Sequence, residues 1–559
     1  MVQRTESPLA LENAYHWEKH LANKTYLTQP MTGAPTREWS WADAMGEVRR
    51  MAAHLKSLGL PPRSHVALMA KNQAHWIMTD LAIWMAGHVS IPLYPNLTSD
   101  TVAQILDHSG AKLILIGKLD AWDMMKDGVP ASMPRIALPM SPIGGAPTWD
   151  SIVASTQPLR ESPVRDADDL ATIIYTSGST GTPKGVMHSF RTMGVSGVGI
   201  CKHLNVNHDD RMLSYLPLAH AFERFVVEMG SMASGFHIYF AESLDTFVQD
   251  LQRARPTLFI SVPRLWLKFQ LGVFSKMPPE KLDRLLKIPV VKGIVGKKVL
   301  KGLGLDSVRF AGSGSAPIPA DVIGWYRRLG LELLEGYGMT ENFSYSHASE
   351  PGEARVGYVG TAYPDCVCRI SPSGEIEVKS PGTMLGYYKA PELTAEVMTE
   401  DGFLKTGDRG EMDEKGRLKI TGRVKELFKT SKGKYVAPAP IENKLLSNTK
   451  LEQACVTGSG QPQPHAIVVL SEQLRADLAK GSVKREALTP DLEKLVKEVN
   501  DSLDPHEQLE FLVVAKEPWL IENGYLTPTL KIKRGSVEKS YGPMADGWYS
   551  VRKTVIWQD

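Results

Sequence analysis

The sequence has little of several features that would assign a protein to a class. Its 559 residues contain four cysteines, too few for a disulfide framework. No other cysteine or histidine lies near Cys366 and Cys368 to complete a metal site, so we interpret both as packing residues. A low number of cysteines without disulfides is typical of proteins in a reducing cytoplasm. The net charge of +2 gives no argument for a nucleic-acid partner.

Long apolar runs are also missing. The N-terminus lacks the apolar core of a signal peptide, and no uncharged apolar stretch reaches the roughly 18 residues that span a bilayer. We therefore expect a cytoplasmic protein. Residues 284–301 could contact a membrane surface without crossing it, since they combine apolar side chains with six cations and no acids. The segment fits peripheral contact with an anionic lipid surface, or a basic surface helix broken by Pro289 and Gly293.

The chain does contain a regular alternation of helical and strand patterns. Helical patterns over 41–58 and 76–86 are separated by short apolar runs, which predicts parallel sheets in an α/β fold. Beyond about residue 355, polar and apolar residues alternate, which predicts a small, more antiparallel, barrel-like region. The apolar runs in the first part lie at 66–70, 89–93, 211–216, 257–262 and 307–312.

The most informative stretch runs from Tyr175 to Val186. It holds three glycines, five Ser or Thr residues and Lys184, and it follows the apolar run 170–174, a predicted buried strand. Glycines let backbone N–H groups approach an anion, and the lysine adds positive charge for phosphate oxygens. The spacing of Gly178, Gly181 and Lys184 is not that of a Walker loop. The stretch still indicates a nucleoside triphosphate.

A second pair of motifs lies at 311–318 and 334–342. Small residues at 312–316 leave room for a flat ring beside the backbone, and Tyr337, between two glycines, could stack on that ring. Thr340 offers a hydroxyl to a phosphate, and Glu341 offers a carboxylate oxygen to Mg²⁺.

In this order, the motifs resemble those of the adenylate-forming enzymes, the AMP-binding family that includes acyl-CoA synthetases and luciferases. The resemblance covers roughly residue 35 to the end. It implies a large N-terminal domain, 1–424, of βα-layered parallel sheets with a small barrel-like region, followed by a small mobile α+β domain, 425–559. It also implies ribose binding by Asp408 with help from Arg423. The implied contacts to ATP and coenzyme A are Thr176, Ser177, Gly178, Ser179, Thr180, Gly181, Thr182, Lys184, Gly314, Ser315, Ala316, Glu335, Gly336, Tyr337, Gly338, Thr340, Asp408, Arg423, Lys425, Gly433 and Lys531.

The implied reaction joins a carboxylate to ATP, giving an acyl adenylate and pyrophosphate, and then transfers the acyl group to coenzyme A. Positive charge must gather at the phosphates, from Mg²⁺ near Glu341, from Lys184 and from a C-terminal lysine. By alignment that lysine is Lys531, with Lys533 as its competitor, and Leu530 stands where many relatives have glycine. The resemblance further implies that the C-terminal domain turns about Lys425.

The identity of the carboxylic acid is predicted from further segments. Residues 214–224, 433–438 and 526–531 resemble the long-chain acyl-CoA synthetases, so a medium- or long-chain fatty acid is expected. His220 would lie near its carboxylate, or it is a buried, hydrogen-bonded histidine. Open alternatives are an aryl or other acid, a carrier protein as acceptor, luciferase-type oxidation, and a non-catalytic nucleotide-binding protein. The oligomeric state is open, with a homodimer as one candidate.

Overall fold

The computed structural model describes residues 7, 9–31, 33–177, 183–527 and 530–558. Local sequence signals explain where its elements begin. In the helix Trp41–Ser57, Ser40 Oγ accepts the Asp43 backbone N–H at 3.1 Å while the Asp43 carboxylate accepts the Ser40 N–H, which closes a capping box. The helix Ala74–Met85 is apolar on most sides and fully buried, as expected of a helix inside a core.

The helices Trp41–Ser57 and Ala74–Met85 lie close to the predicted 41–58 and 76–86. The helices of the structure are Ala10–His20, Trp41–Ser57, Ala74–Met85, Ser99–Ser109, Trp122–Met125, Trp149–Ser155, Phe190–His203, Ala221–Glu223, Gly230–Ser234, Phe247–Ala254, Pro263–Lys276, Pro279–Leu286, Pro289–Leu303, Ala320–Leu329, Pro391–Val397, Pro438–Leu446, Glu472–Ala479, Arg485–Asn500, Arg534–Tyr541 and Ala545–Val551, with the π-helix Arg224–Met229.

Two large sheets with mainly parallel strands carry the predicted apolar runs. The first runs, in spatial order, through Thr361–Ala362, His347–Ala348, Leu333–Tyr337, Phe310–Ser313, Leu258–Ser261, Arg211–Ser214, His237–Phe240, Thr25–Met31 and Ala34–Ser40. The second runs through Gly386–Tyr387, Pro183–Ser189, Leu170–Ser177, Val89–Leu93, His65–Met69, Leu113–Ile116 and Arg135–Ala137. One buried cluster combines residues of both sheets with the helix Ala74–Met85. The predicted α/β class is confirmed.

The region after residue 355 is antiparallel, as predicted. Its four strands form one sheet in the order Val367–Ile370, Glu375–Lys379, Leu404–Met412 and Leu418–Arg423. Cys368 packs in the small apolar cluster of this sheet, and burial raises the pKa of its thiol to about 12.

The C-terminal part has a sheet and core of its own. A two-stranded hairpin, Phe428–Lys429 with Tyr435–Val436, precedes a sheet in the order Leu451–Thr457, His465–Leu470, Leu512–Val514 and Val555–Trp557. The buried clusters on its two faces contain only residues from 428 onward. The division at Lys425 stays a prediction.

One local expectation is wrong. Gly293 does not break the basic segment, because it lies inside the helix Pro289–Leu303. Only Pro289 marks a boundary, since a proline at the first helical position loses no hydrogen bond.

Candidate active site

The lysine of the glycine-rich stretch lies on a β-hairpin at the edge of a large cleft. Strand Leu170–Ser177 pairs antiparallel with Pro183–Ser189, and Thr176 stands opposite Lys184. Both residues line the cleft. The predicted contacts Gly178, Ser179, Thr180, Gly181 and Thr182 lie outside the described residues, as does the Ser177 side chain.

Glu341 approaches the same hairpin from a distant part of the sequence. It lies in the short 3₁₀ turn Thr340–Asn342, whose first carbonyl is within 2.7 Å of His188 Nε2. The Tyr387 hydroxyl donates to Glu341 Oε1 at 2.8 Å, and Lys184 Nζ lies 5.6 Å from the centre of the Tyr387 ring. One tyrosine therefore contacts both the predicted phosphate lysine and the predicted metal ligand.

The loop after Tyr337 is held in an unusual backbone conformation. A Cβ at Gly338 would lie 2.6 Å from the Ser344 backbone, so this close approach requires glycine. Phe343 and Ser344 both have left-handed φ values, +48° and +61°, which costs energy for non-glycine residues. At Gly336 an added Cβ would meet only His347 O at 3.7 Å. That glycine lines the cleft, where it leaves space beside the backbone.

The small-residue motif at 312–316 divides between cleft and interior. Ser315, with φ +68°, and Ala316 line the cleft. Gly314 is buried, and a Cβ there would lie 3.1 Å from the Phe222 ring. Glu335 is also buried on its strand, where desolvation raises the pKa of its carboxyl to about 7.

The predicted ribose residues are directly paired. Asp408 and Arg423 are cross-strand neighbours, with Arg423 Nε 2.8 Å from Asp408 Oδ1. The Tyr337 hydroxyl donates to Asp408 Oδ2 at 2.7 Å. Burial, followed by the charge of Asp408, raises the pKa of Tyr337, so this hydroxyl remains a donor. The contact fixes the Tyr337 ring in the cleft wall beside the carboxylate.

Lys531 reaches this site from the C-terminal part. Its carbonyl accepts the Thr527 N–H at 2.8 Å and its own N–H donates to Thr527 Oγ1 at 3.1 Å, so the residue sits on a tight turn. The side chain is accessible to the solvent of the cleft but surrounded by protein. Burial and then the charge of Arg423 lower the pKa of its ammonium, opposed by Asp408 and Glu341.

Lys533 has a different environment. Its backbone N–H donates to Tyr525 O at 2.8 Å, and it precedes the helix Arg534–Tyr541. Both lysines line the cleft. The charges of Arg423, Asp408 and Glu341 act on the ammonium of Lys531. The choice of Lys531 over Lys533 stays a prediction.

His220 lines the same cleft as Lys531, and the charge of Lys531 acts on it. Its Nδ1 accepts the Phe222 backbone N–H at 3.1 Å, which leaves the proton on Nε2. Burial and then the positive charge of Lys531 lower the pKa of the imidazole to about 3. His220 is therefore a neutral donor at physiological pH.

A buried polar network, missed in the sequence, supports the His220 segment. Glu223 accepts the Ser214 hydroxyl at 2.9 Å and the Tyr215 N–H at 3.0 Å. The Asn72 side chain donates to Leu216 O at 2.6 Å and accepts the Leu218 N–H at 3.0 Å. Burial raises the pKa of Glu223 to about 8. The sequence signal that could have pointed to Glu223 is its position close after His220.

The two residues predicted for the second step are not together. Lys425 lies in the 3₁₀ turn Val424–Glu426 and lines the cleft. Gly433, with φ +78°, is at the tip of the hairpin between Phe428–Lys429 and Tyr435–Val436 and does not line it. The predicted coenzyme A contact at Gly433 would require a different arrangement of the C-terminal part.

Part of the cleft is lined by apolar side chains. The volume of the cleft is about 4100 Å³. Its lining includes the buried side chains of Cys201, Leu204, Met212, Phe225, Val226 and Phe236.

Among the described residues, no cluster of three or more His, Cys, Asp or Glu side chains could hold a metal ion. Glu341 offers a cleft carboxylate that Tyr387 connects to Lys184. A single carboxylate combined with substrate phosphates is a usual ligand set for Mg²⁺. The residues therefore fit a metal that binds together with a nucleotide.

Comparison with known proteins shows the family of the chain. A family model described as AMP-binding enzyme matches residues 14–388, and one described as AMP-binding enzyme C-terminal domain matches 426–553. The chain is 30% identical to the peroxisomal long chain acyl-CoA synthetase 7 of Arabidopsis thaliana over 96% of this chain and 86% of that protein. It is 28% identical to long-chain-fatty-acid–CoA ligase 1 of Homo sapiens, over 89% and 80%.

Solved structures show the same fold. The adenylation domain of a carboxylate reductase from Mycobacterium chelonae superposes with a TM-score of 0.81 at 22% identity, over 98% of this chain and 92% of that one. An anthranilate CoA ligase in complex with anthranoyl-AMP gives 0.78 at 19% identity, over 98% and 99%.

Proposed function

Since the chain belongs to the AMP-binding enzymes, as its motifs predicted, we propose that it activates a fatty acid with ATP and transfers the acyl group to coenzyme A. The observation that carries this proposal is the convergence at one cleft of Lys184, Glu341, Asp408, Arg423 and Lys531, which come from separate parts of the sequence. A nucleotide-binding protein without catalysis would not need Lys531 at that place.

The first step needs positive charge rather than a general base. The carboxylate is already ionised, and one of its oxygens attacks the α-phosphorus while the bond to pyrophosphate breaks. Lys531 would contact the carboxylate and α-phosphate, and Lys184 the departing phosphates. Glu341 would hold Mg²⁺, which would neutralise phosphate charge. The chain otherwise positions the reactants.

The ribose hydroxyls would donate to Asp408. Each carboxylate oxygen accepts one bond already, from Arg423 or from Tyr337, and each has a further lone pair. These bonds fix the carboxylate before a ligand arrives. His220 Nε2–H, on the acid side, would donate to the substrate carboxylate and orient it.

The apolar part of the cleft supports a long acyl chain. The cleft lining includes the buried apolar side chains of Leu204, Met212, Phe225, Val226 and Phe236, and His220 lines the same cleft. Both named relatives act on long-chain acids by name. A medium-chain or aryl acid would fill less of this space, and remains the alternative substrate.

Transfer to coenzyme A would follow a rotation of the C-terminal domain, 425–559, about Lys425. The position of Gly433 supports this, since its glycine turn lies outside the present cleft. The same rotation would bring Gly433 to the cleft and move Lys531 away from the acyl adenylate. A carrier protein is the alternative acceptor.

Peripheral membrane contact is proposed for residues 284–301. The helix Pro289–Leu303 exposes Val290 (77%) and Ile294 (65%), with Lys297 and Lys301 further along the same face. Within the described part of the chain no helix is long and apolar enough to cross a membrane. Sedimentation with vesicles of 30% phosphatidylglycerol tests this. The double charge reversal K297E/K301E should abolish binding, and K480E/K484E should not.

The experiment for the main proposal measures acid-dependent ATP–pyrophosphate exchange and coenzyme A-dependent AMP release, with acids from acetate to oleate plus benzoate. A maximum at about twelve carbons or longer is expected, because only long chains fill the cavity. Activity confined to short or aromatic acids would overturn the substrate. Acyl-AMP without any thioester would overturn the acceptor.

A further inference from the structure

Tyr387 connects two functional groups that the sequence places 157 positions apart, Lys184 and Glu341. Resting on the proposed function, we propose that Tyr387 is a positioning residue, which orients the Glu341 carboxylate toward the metal and holds the Lys184 ammonium toward the phosphates.

The first contact is a hydrogen bond. The Tyr387 hydroxyl donates to Glu341 Oε1 at 2.8 Å. A phenol is protonated at neutral pH, so the hydroxyl is a donor to the carboxylate. A carboxylate held at one oxygen presents the other in a defined direction. Such outer partners of metal ligands typically affect metal affinity by about 10–100-fold.

The second contact is with the aromatic ring. Lys184 Nζ lies 5.6 Å from the ring centre, within the range of a cation–π interaction. The ring is itself fixed, because Tyr387 is 6% exposed and packs in a cluster with Val186, Met384 and Leu404. A mobile lysine side chain is thereby restricted to the side of the cleft where Glu341 lies.

The backbone around Tyr387 joins the same two segments. Tyr387 pairs antiparallel with Val186, and the Tyr388 N–H donates to Gly185 O at 2.8 Å. On the other side, the Met384 N–H donates to Glu341 O at 2.8 Å. The segment 384–388 therefore holds the lysine strand and the Glu341 turn in register, and the Tyr387 side chain continues this connection into the cleft.

The test separates the two contacts. Tyr387→Phe keeps the ring and loses the hydroxyl, whereas Tyr387→Leu loses both. Tyr388→Phe is the matched control, since its ring packs against His65 and His108 on the other side of the strand. Binding of Mn²⁺ is followed by its EPR signal in the presence of α,β-methylene-ATP, and AMP binding is measured without metal.

We expect Tyr387→Phe to weaken Mn²⁺ binding about 10-fold and to leave AMP binding unchanged. Tyr387→Leu should additionally weaken metal-free binding of the ATP analogue, and Tyr388→Phe should match the wild type. Unchanged Mn²⁺ affinity in Tyr387→Phe would overturn the proposal, and so would an equal loss of Mn²⁺ and AMP binding, which indicates general disruption. A wild type that binds the metal–nucleotide pair but activates no acid would instead overturn the proposed function.

Discussion

The segment that carries His220 and the turn that carries Lys531 meet at one cleft, but they are held in different ways. Behind His220, the side chains of Asn72, Glu223 and Arg224 are buried and hydrogen-bonded. The backbone of Lys531 is held by hydrogen bonds to the backbone and hydroxyl of Thr527, beside an exposed residue in a left-handed conformation. The difference supports the proposal that a preorganised acid site faces a lysine that leaves between the two steps.

The largest expected effect comes from a substitution in the buried network behind His220. Arg224 is fully buried and pairs with Asp80 and with Glu228, whose Oε2 lies 2.9 Å from Arg224 Nε. Arg224→Met would leave both acids without a cation and should cost about 3–5 kcal/mol of unfolding free energy. Chemical denaturation followed by tryptophan fluorescence measures this.

An exposed ion pair provides the control for that variant. Arg191 lies 2.7 Å from Asp168 at the surface, and Arg191→Met should change the unfolding free energy far less than Arg224→Met, because exposed ion pairs contribute little. Similar losses in the two variants would show that the buried triad is not what stabilises the acid side.

A smaller effect comes from Glu223 and depends on pH. Its pKa is raised from 4.5 to about 8 in the fold, so the native state retains a proton that the unfolded chain releases. The stabilisation from this proton is complete below pH 4.5 and is lost as pH rises toward 8. Glu223→Gln cannot ionise, so its stability should gain on the wild type between pH 5 and 8 and stay level above. A pH-independent difference in melting temperature would contradict this assignment.

These contacts show where sequence reasoning succeeded and where it ended. The strand at 170–177 was predictable, because a short apolar run followed by glycines is a local signal. Tyr387 was missed because its partners, Lys184 and Glu341, come together only through strand pairing. Asn72 was missed because its partners Leu216 and Leu218 lie 144 and 146 residues away in the sequence. That Leu530 stands where many relatives have glycine was visible in the sequence, but the energetic consequence depends on the φ angle of that residue.

The smallest expected effect concerns Leu530, which precedes Lys531. Leu530 has φ +61° and is 53% exposed, a conformation that costs a non-glycine residue about 1–2 kcal/mol. Leu530→Gly removes this strain but frees the unfolded chain, so stability should change by less than about 1 kcal/mol. The adenylation rate should stay within about 2-fold, since the Thr527 bonds to Lys531 remain. A 10-fold loss of rate would show that the leucine itself positions the lysine.

The central claim is that Lys531 serves the adenylation step from a turn that the second step does not use. The most direct test is to measure both half-reactions in Lys531→Met, with Lys533→Met as the control. We predict a loss of about 10²–10³-fold in acyl-AMP formation, with transfer from supplied dodecanoyl-AMP to coenzyme A unchanged, and near-normal rates for both steps in Lys533→Met. Equal loss of both steps in Lys531→Met, or the larger loss in Lys533→Met, would contradict the account.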